Sequence, residues 1–223
     1  GFIGRVLLNA FNAWEYSHQS DREDLKANSM KVFDSYLKNG FTPVGFFKES
    51  VDFDKGYEDP VHSIRRQSEG IYAMLHFLAY EKENGRRHPE WEQKMKNMLD
   101  ILLRLQQADG SFPRKFRDDF TIGDTSGGST PSATLPLVMG YKYFKDKRYL
   151  ASAKQTADYL EKVLISKADY FSSTLDANCE DKEASLYAAT ATYYLSLITK
   201  GDEHRHYADL TKKAAYFALS CYY

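Results

Sequence analysis

The sequence predicts an all-α fold of stacked helical hairpins, and three observations carry that expectation. Apolar residues recur at helical spacing along most of the chain, and no convincing alternating strand stands outside the loops. Four stretches without Lys, Arg, Asp or Glu (Val6–Trp14, Gly70–Tyr80, Thr125–Tyr141 and Ala184–Thr199) alternate with amphipathic segments, as expected for an inner and an outer layer of helices. Trp91, Tyr149 and Tyr207 are spaced 58 residues apart, and so are Lys96, Lys154 and Lys212, and Leu99, Ala157 and Ala215. A repeat of that length fits one helical hairpin per unit.

Eight helices are expected, over 2–16, 21–39, 61–84, 88–107, 130–145, 147–166, 182–200 and 203–222. Asn39-Gly40 and Asp109-Gly110 supply stops after the second and fourth. Pro60, Pro89 and Pro131 stand where first-turn prolines belong. Pro136 would kink the fifth helix or mark its true start. The seventh organises the chain: Glu180-Asp181-Lys182-Glu183 is followed by ASLYAATATYYLSLIT, an uncharged rod expected to be buried all round. Its acids would then sit at the N-terminal mouth, where the helix dipole favours negative charge.

The 223 residues suffice for one large domain, expected as a single unit over 1–223, and the 43% hydrophobic content for a substantial core. With 30 basic and 31 acidic side chains, nothing points to nucleic acid or a membrane surface. Two cysteines, Cys179 and Cys221, make neither a disulfide scaffold nor a zinc site, although the two could meet if the last two helices run side by side. Asp176-x-Asn178-x-Glu180 alternates like a calcium loop but lacks the glycine and terminal glutamate of an EF-hand, so no metal or cofactor is expected.

Links within hairpins are short, and links between them, 40–60, 108–129 and 167–181, are long. Loops beyond about 12–15 residues in a compact domain are usually functional or disordered, and these are too aromatic for disorder. All three run from an outer helix to the start of an inner one, so they share a face. Each combines aromatics with carboxylates: Phe46, Phe47, Asp52 and Asp59; Phe112, Phe116, Asp119 and Asp124; Tyr170, Phe171, Asp176 and Asp181. Aromatic platforms beside carboxylates suit sugars, and paired carboxylates are what glycosidic cleavage requires.

The segment QQADGSFPRKF resembles the outer-helix exit turn of (α/α) toroids, in which Gln-x-x-Asp-Gly precedes an aromatic. The stretches GGSTPSATLPLVMGYKYFKDKRYLASAKQTADYL and LDANCEDKEASLYAATATYYLSL look similar to carbohydrate-active or uncharacterised toroids of gut Bacteroidetes. Over roughly residues 20–223, the chain thus resembles the six-hairpin glycosidase-like superfamily and related polysaccharide lyases. Squalene-cyclase-like toroids share the turn, but their Asp-x-Asp-Asp motif does not occur here. The resemblance implies an (α/α) toroid of which four hairpins are present, an incomplete six-hairpin barrel within a longer protein. It further implies an oligosaccharide or polysaccharide partner and export to the periplasm or cell surface. Glycoside hydrolysis is the foremost activity, with a lyase, a sugar epimerase or a non-catalytic glycan-binding module as alternatives.

Asp124 and Asp181 are the expected acid pair, with Glu183 in reserve; a turn or helix-cap role would also explain them. Substrate contacts are expected from Asp59, Arg65, Arg66, Glu69, Phe116, Asp119, Tyr170 and Asp176. Arg65 and Arg66 in a first helical turn oppose the dipole, so they need a carboxylate partner from the protein or from an acidic sugar. Glu69, starting a buried stretch, would suit a general acid if it faces the axis.

Overall fold

The computed structural model describes residues 3–52, 54–125, 129–170 and 180–222. Among the described residues, eight α-helices alternate between two layers: α1 (Ile3–Ser20), α2 (Glu23–Asn39), α3 (Ile64–Glu83), α4 (Pro89–Leu105), α5 (Thr130–Phe144), α6 (Lys147–Tyr159), α7 (Lys182–Ile198) and α8 (Gly201–Ser220). The inner series is α1, α3, α5 and α7, each packed on the next, and α2, α6 and α8 close hairpins on α1, α5 and α7.

Burial follows the sequence pattern. In α4, Trp91, Met95, Met98, Leu99, Leu102 and Leu105 form one buried stripe on a polar helix. In α5, every residue from Thr130 to Gly140 is buried, and the helix runs through Pro136 without ending. The repeat positions Trp91, Tyr149 and Tyr207 are buried near the starts of α4, α6 and α8. After Tyr159, α6 continues as a π-helical turn over Leu160–Ile165.

Three details differ from expectation. Residues 61–63 extend as a strand rather than opening α3, because Ser63 takes the N-cap and accepts a hydrogen bond from the Arg66 N–H. α1 runs on to Ser20, four residues further than expected. The third concerns α7, which is not buried all round: Leu186, Tyr193 and Leu197 are 43%, 49% and 59% exposed. Their spacing puts them on one flank, which stays in water.

The long links are partly ordered as strands. β1 (Val51–Asp52) pairs with β2 (Tyr57–Glu58), and β3 (Val61–Ser63), β4 (Lys115–Arg117) and β5 (Ile122–Asp124) form an antiparallel sheet in the order β3-β4-β5. β3 leads directly into α3 and β5 precedes α5, so the sheet binds the first and second long links together over the N-terminal ends of these inner helices. The register, His62 opposite Phe116 and Ser63 opposite Lys115, fixes where α3 begins relative to the second loop.

The Gln-x-x-Asp-Gly turn has a physical explanation. Gln106 Nε2 donates to the Ser152 carbonyl at 3.0 Å and to Thr156 Oγ1 at 2.9 Å, and its Oε1 accepts from Ser152 Oγ at 2.7 Å. Asp109 Oδ1 accepts from both the N–H and the hydroxyl of Ser111. Gly110 has φ +90°, and a Cβ there would lie 2.3 Å from the Gln155 carbonyl oxygen, so only glycine passes α6 at this point. The motif therefore locks the exit of α4 against α6.

Candidate functional site

The first two turns of α3 and α7 carry polar side chains at four-residue spacing, Arg65 with Glu69 and Glu183 with Tyr187, so each pair lies on one helix face. The two faces meet although α5 stands between α3 and α7 in the inner series. The series is therefore curved, and its concave side is lined by these groups. Arg65 Nε donates to Glu69 Oε1 at 3.1 Å, and Arg65 Nη1 lies 2.7 Å from Glu183 Oε2. The Tyr187 hydroxyl donates to Glu69 Oε1 at 2.5 Å, and Arg65 stacks 5.5 Å from the centroid of its ring. From α1, Arg5 Nε approaches Glu69 Oε2 at 3.5 Å. Three inner helices thus converge on one carboxylate.

Exposure differs sharply within the cluster. The side chains of Arg65 and Glu69 are each 6% exposed, whereas that of Glu183 is 45% exposed. Burial works against the Arg65 charge, but Tyr187, Glu69 and Glu183 more than offset it and hold the guanidinium protonated. Burial, reinforced by the Glu69 carboxylate, pushes the Tyr187 phenol well up and keeps it a donor. Further along the concave side, the hydroxyls of Tyr72 and Tyr194 meet at 2.7 Å and again bridge α3 and α7. The His76 ring follows, edge-on to Tyr72 with centroids 4.5 Å apart.

The other expected site residues are placed as follows. Asp181 is the N-cap of α7 and accepts the Glu183 N–H at 2.8 Å. Asp124, on β5, is ion-paired with Arg114, whose Nε donates to Asp124 Oδ2 at 2.7 Å. Asp59 Oδ1 accepts the Val61 N–H, a local turn bond. Arg66 points away from the Arg65 cluster: its Nη1 donates at 2.6 Å to Glu49, whose side chain is fully buried. Glu49 also accepts the Ser63 N–H at 2.9 Å and approaches Lys115 at 3.9 Å, so Arg66 ties the first loop to α3.

The two expected stacking platforms are closed off by packing. Phe116 is 0% exposed between Phe46 and His62, because β3 and β4 pair over it. Tyr170 is 1% exposed, against the Phe217 ring at 4.4 Å. Asp119 accepts from the N–H and hydroxyl of Thr121 in an exposed turn, and the Thr121 hydroxyl keeps its carboxyl below the usual range. Asp176, Phe171 and Cys179 lie outside the described residues. Cys221 is exposed at the end of α8. His62 is buried, with Nε2 2.8 Å from Asp118 Oδ1. Among the described residues, no group of His, Cys, Asp and Glu could hold a metal ion, and no helix is long and apolar enough to cross a membrane.

Sequence reasoning missed Tyr187, Arg5 and Glu49. Tyr187 stood four residues after Glu183, on the same face. Glu49 could have been sought as the partner Arg66 required. Arg5 carried no distinguishing signal.

No protein-family model matches the chain, and no curated protein matches it in sequence. Solved structures match it in fold. A Bacillus unsaturated glucuronyl hydrolase, described as responsible for glycosaminoglycan degradation, superposes with a TM-score of 0.70 at 14% identity, over 96% of this chain and 60% of its own. The cellobiose 2-epimerase of Bacillus thermoamylovorans gives 0.73 at 12% identity, over 97% and 60%. A D-mannose isomerase gives 0.73 at 13% identity, over 98% and 58%. The chain spans about 60% of the length of these structures. Its curved series of helical hairpins shares the fold of these structures, an (α/α) toroid.

Proposed function

We propose that this chain is the carbohydrate-processing part of a toroidal enzyme, a glycoside hydrolase acting on an oligosaccharide or polysaccharide by carboxylate acid/base chemistry. The observation that carries the reading is the Arg65-centred cluster at the mouth of α3 and α7, in which a half-exposed carboxylate, Glu183, is held by a buried guanidinium. Glu183 is the group positioned to meet substrate; Arg65, Glu69 and Tyr187 position it. Asp181 contributes by capping α7 and fixing the Glu183 backbone, and Asp124, on the rim strand β5, is the second carboxylate of the reading. Arg5, 49% exposed at the same mouth, would orient a polar or acidic sugar. The activities of the three fold neighbours, all on sugars, support the substrate class.

A second reading is a sugar epimerase or isomerase, favoured by the Tyr187–Glu69 hydrogen bond, which couples a phenol and a carboxylate along one proton path. Export to the periplasm or cell surface also belongs to the proposal, and fractionation of the producing cells checks it.

The experiment is incubation with unsaturated uronyl disaccharides, nitrophenyl glycosides and cellobiose, followed by reducing-end assay and NMR. New reducing ends support hydrolysis. A changed sugar without new reducing ends moves the assignment to epimerisation or isomerisation. Intact sugars that still bind reduce the protein to a glycan-binding module.

A further inference from the structure

A small cavity of about 140 Å³ lies farther along the concave side, near the C-terminal ends of α5 and α7, lined by His76, Val138, Met139, Lys142, Tyr194, Leu197 and Ile198. His76 is eleven residues beyond Arg65 on α3, about 16 Å along the helix at ~1.5 Å per residue, so this cavity is separate from the mouth. Its chemistry is divided. Val138, Met139, Leu197 and Ile198 supply an apolar wall. His76 Nε2 is buried with no hydrogen-bond partner. Burial, with the nearby Lys142 charge adding to it, depresses the His76 imidazole to about 4, so it is neutral at pH 7. Lys142 is exposed and makes no ion pair with a described residue, and it is the one lining side chain charged at neutral pH. The helix C-termini nearby would disfavour an anion, and the Lys142 ammonium offsets them.

We propose that this cavity binds a short-chain aliphatic monocarboxylate. The carboxylate would pair with Lys142, beside the His76 ring that lines the cavity, while the alkyl chain lies on Val138, Met139, Leu197 and Ile198. The volume suits such a ligand, since one water occupies about 30 Å³ of liquid. The cavity would bind it whether or not the mouth processes sugar.

Sodium butyrate is the probe. Titrated into the protein, it should give a saturable shift of the His76 imidazole signals and measurable heat of binding. Butyramide, which keeps the shape without the charge, should bind at least about tenfold more weakly, about 1.4 kcal/mol. Lys142→Met alters an exposed residue, should fold as the parent by circular dichroism, and should lose a similar factor; Val138→Phe, which fills the apolar wall, is the second test and should abolish the shift. The proposal is overturned if sodium chloride at matched ionic strength reproduces the effect, if butyramide binds equally well, or if folded Lys142→Met binds butyrate as the parent does.

Discussion

Tyr187 on α7 donates a 2.5 Å hydrogen bond to Glu69 on α3, joining helices that lie 118 residues apart in sequence. The bond ties two non-adjacent inner helices together near their N-terminal ends. A hydrogen bond to a charged acceptor contributes about 1.5–3 kcal/mol. Tyr187→Phe should therefore lose roughly that much stability in urea denaturation, with an unchanged denaturant slope. An unmoved midpoint would mean that the bond does not stabilise the fold.

Arg65 is the hub. Removing one partner of a buried ion pair leaves the other charge uncompensated, at a cost of about 3–5 kcal/mol. Because Glu69 keeps the Tyr187 hydroxyl and Arg5, Arg65→Met should lose less than that, and the Arg65→Met, Glu69→Gln double variant should lose less than the sum of the two singles. Additive losses would show that the two side chains do not act as a unit.

Gly110 combines a left-handed backbone with a Cβ position 2.3 Å from the Gln155 carbonyl oxygen. Gly110→Ala must displace α4 from α6, and overpacking of that kind costs about 1–3 kcal/mol. Thermal unfolding should show the loss. By contrast, Gly85→Ala, at φ +75° with open space around the added carbon, suffers the backbone strain alone and should lose less.

His76 makes stability pH-dependent. Its folded pKa, about 4, lies below the ordinary value of about 6.5, so the unfolded chain binds the proton first. The stability it contributes is complete above about pH 6.5 and declines as pH falls toward 4. His76→Phe should flatten that part of the stability profile, and the His76 imidazole should titrate near 4 by NMR. A midpoint near 6.5 would contradict the burial argument.

The hairpin series was legible because periodicity, alternating charge and the repeat all encode burial, and burial decides where helices lie. The sheet β3-β4-β5 was not: its three-residue strands are too short to show alternation, and its pairing joins loops more than fifty residues apart. Asp181 and Glu183 could be placed at the α7 mouth from sequence, and so could the need of Arg65 for a carboxylate partner, but not which carboxylate supplies it. That Phe116 and Tyr170 turn inward could not be read, since an aromatic beside a carboxylate looks the same in a core as on a platform. The exposed flank of α7 went unforeseen because Leu186, Tyr193 and Leu197 are as apolar as the buried residues beside them. Tertiary contact, rather than composition, determines which side stays in water.

The central claim is that Glu183, exposed at the mouth and gripped by Arg65, is the carboxylate that works on sugar. With a turned-over substrate in hand, kcat of Glu183→Gln should fall by at least about a hundredfold, the lower end of what a positioned acid or base contributes, while the variant stays folded because Arg65 keeps Glu69, and Asp181→Ala, which removes the cap of α7, loses about 1 kcal/mol of stability along with part of its rate. Undiminished turnover by folded Glu183→Gln would contradict the account.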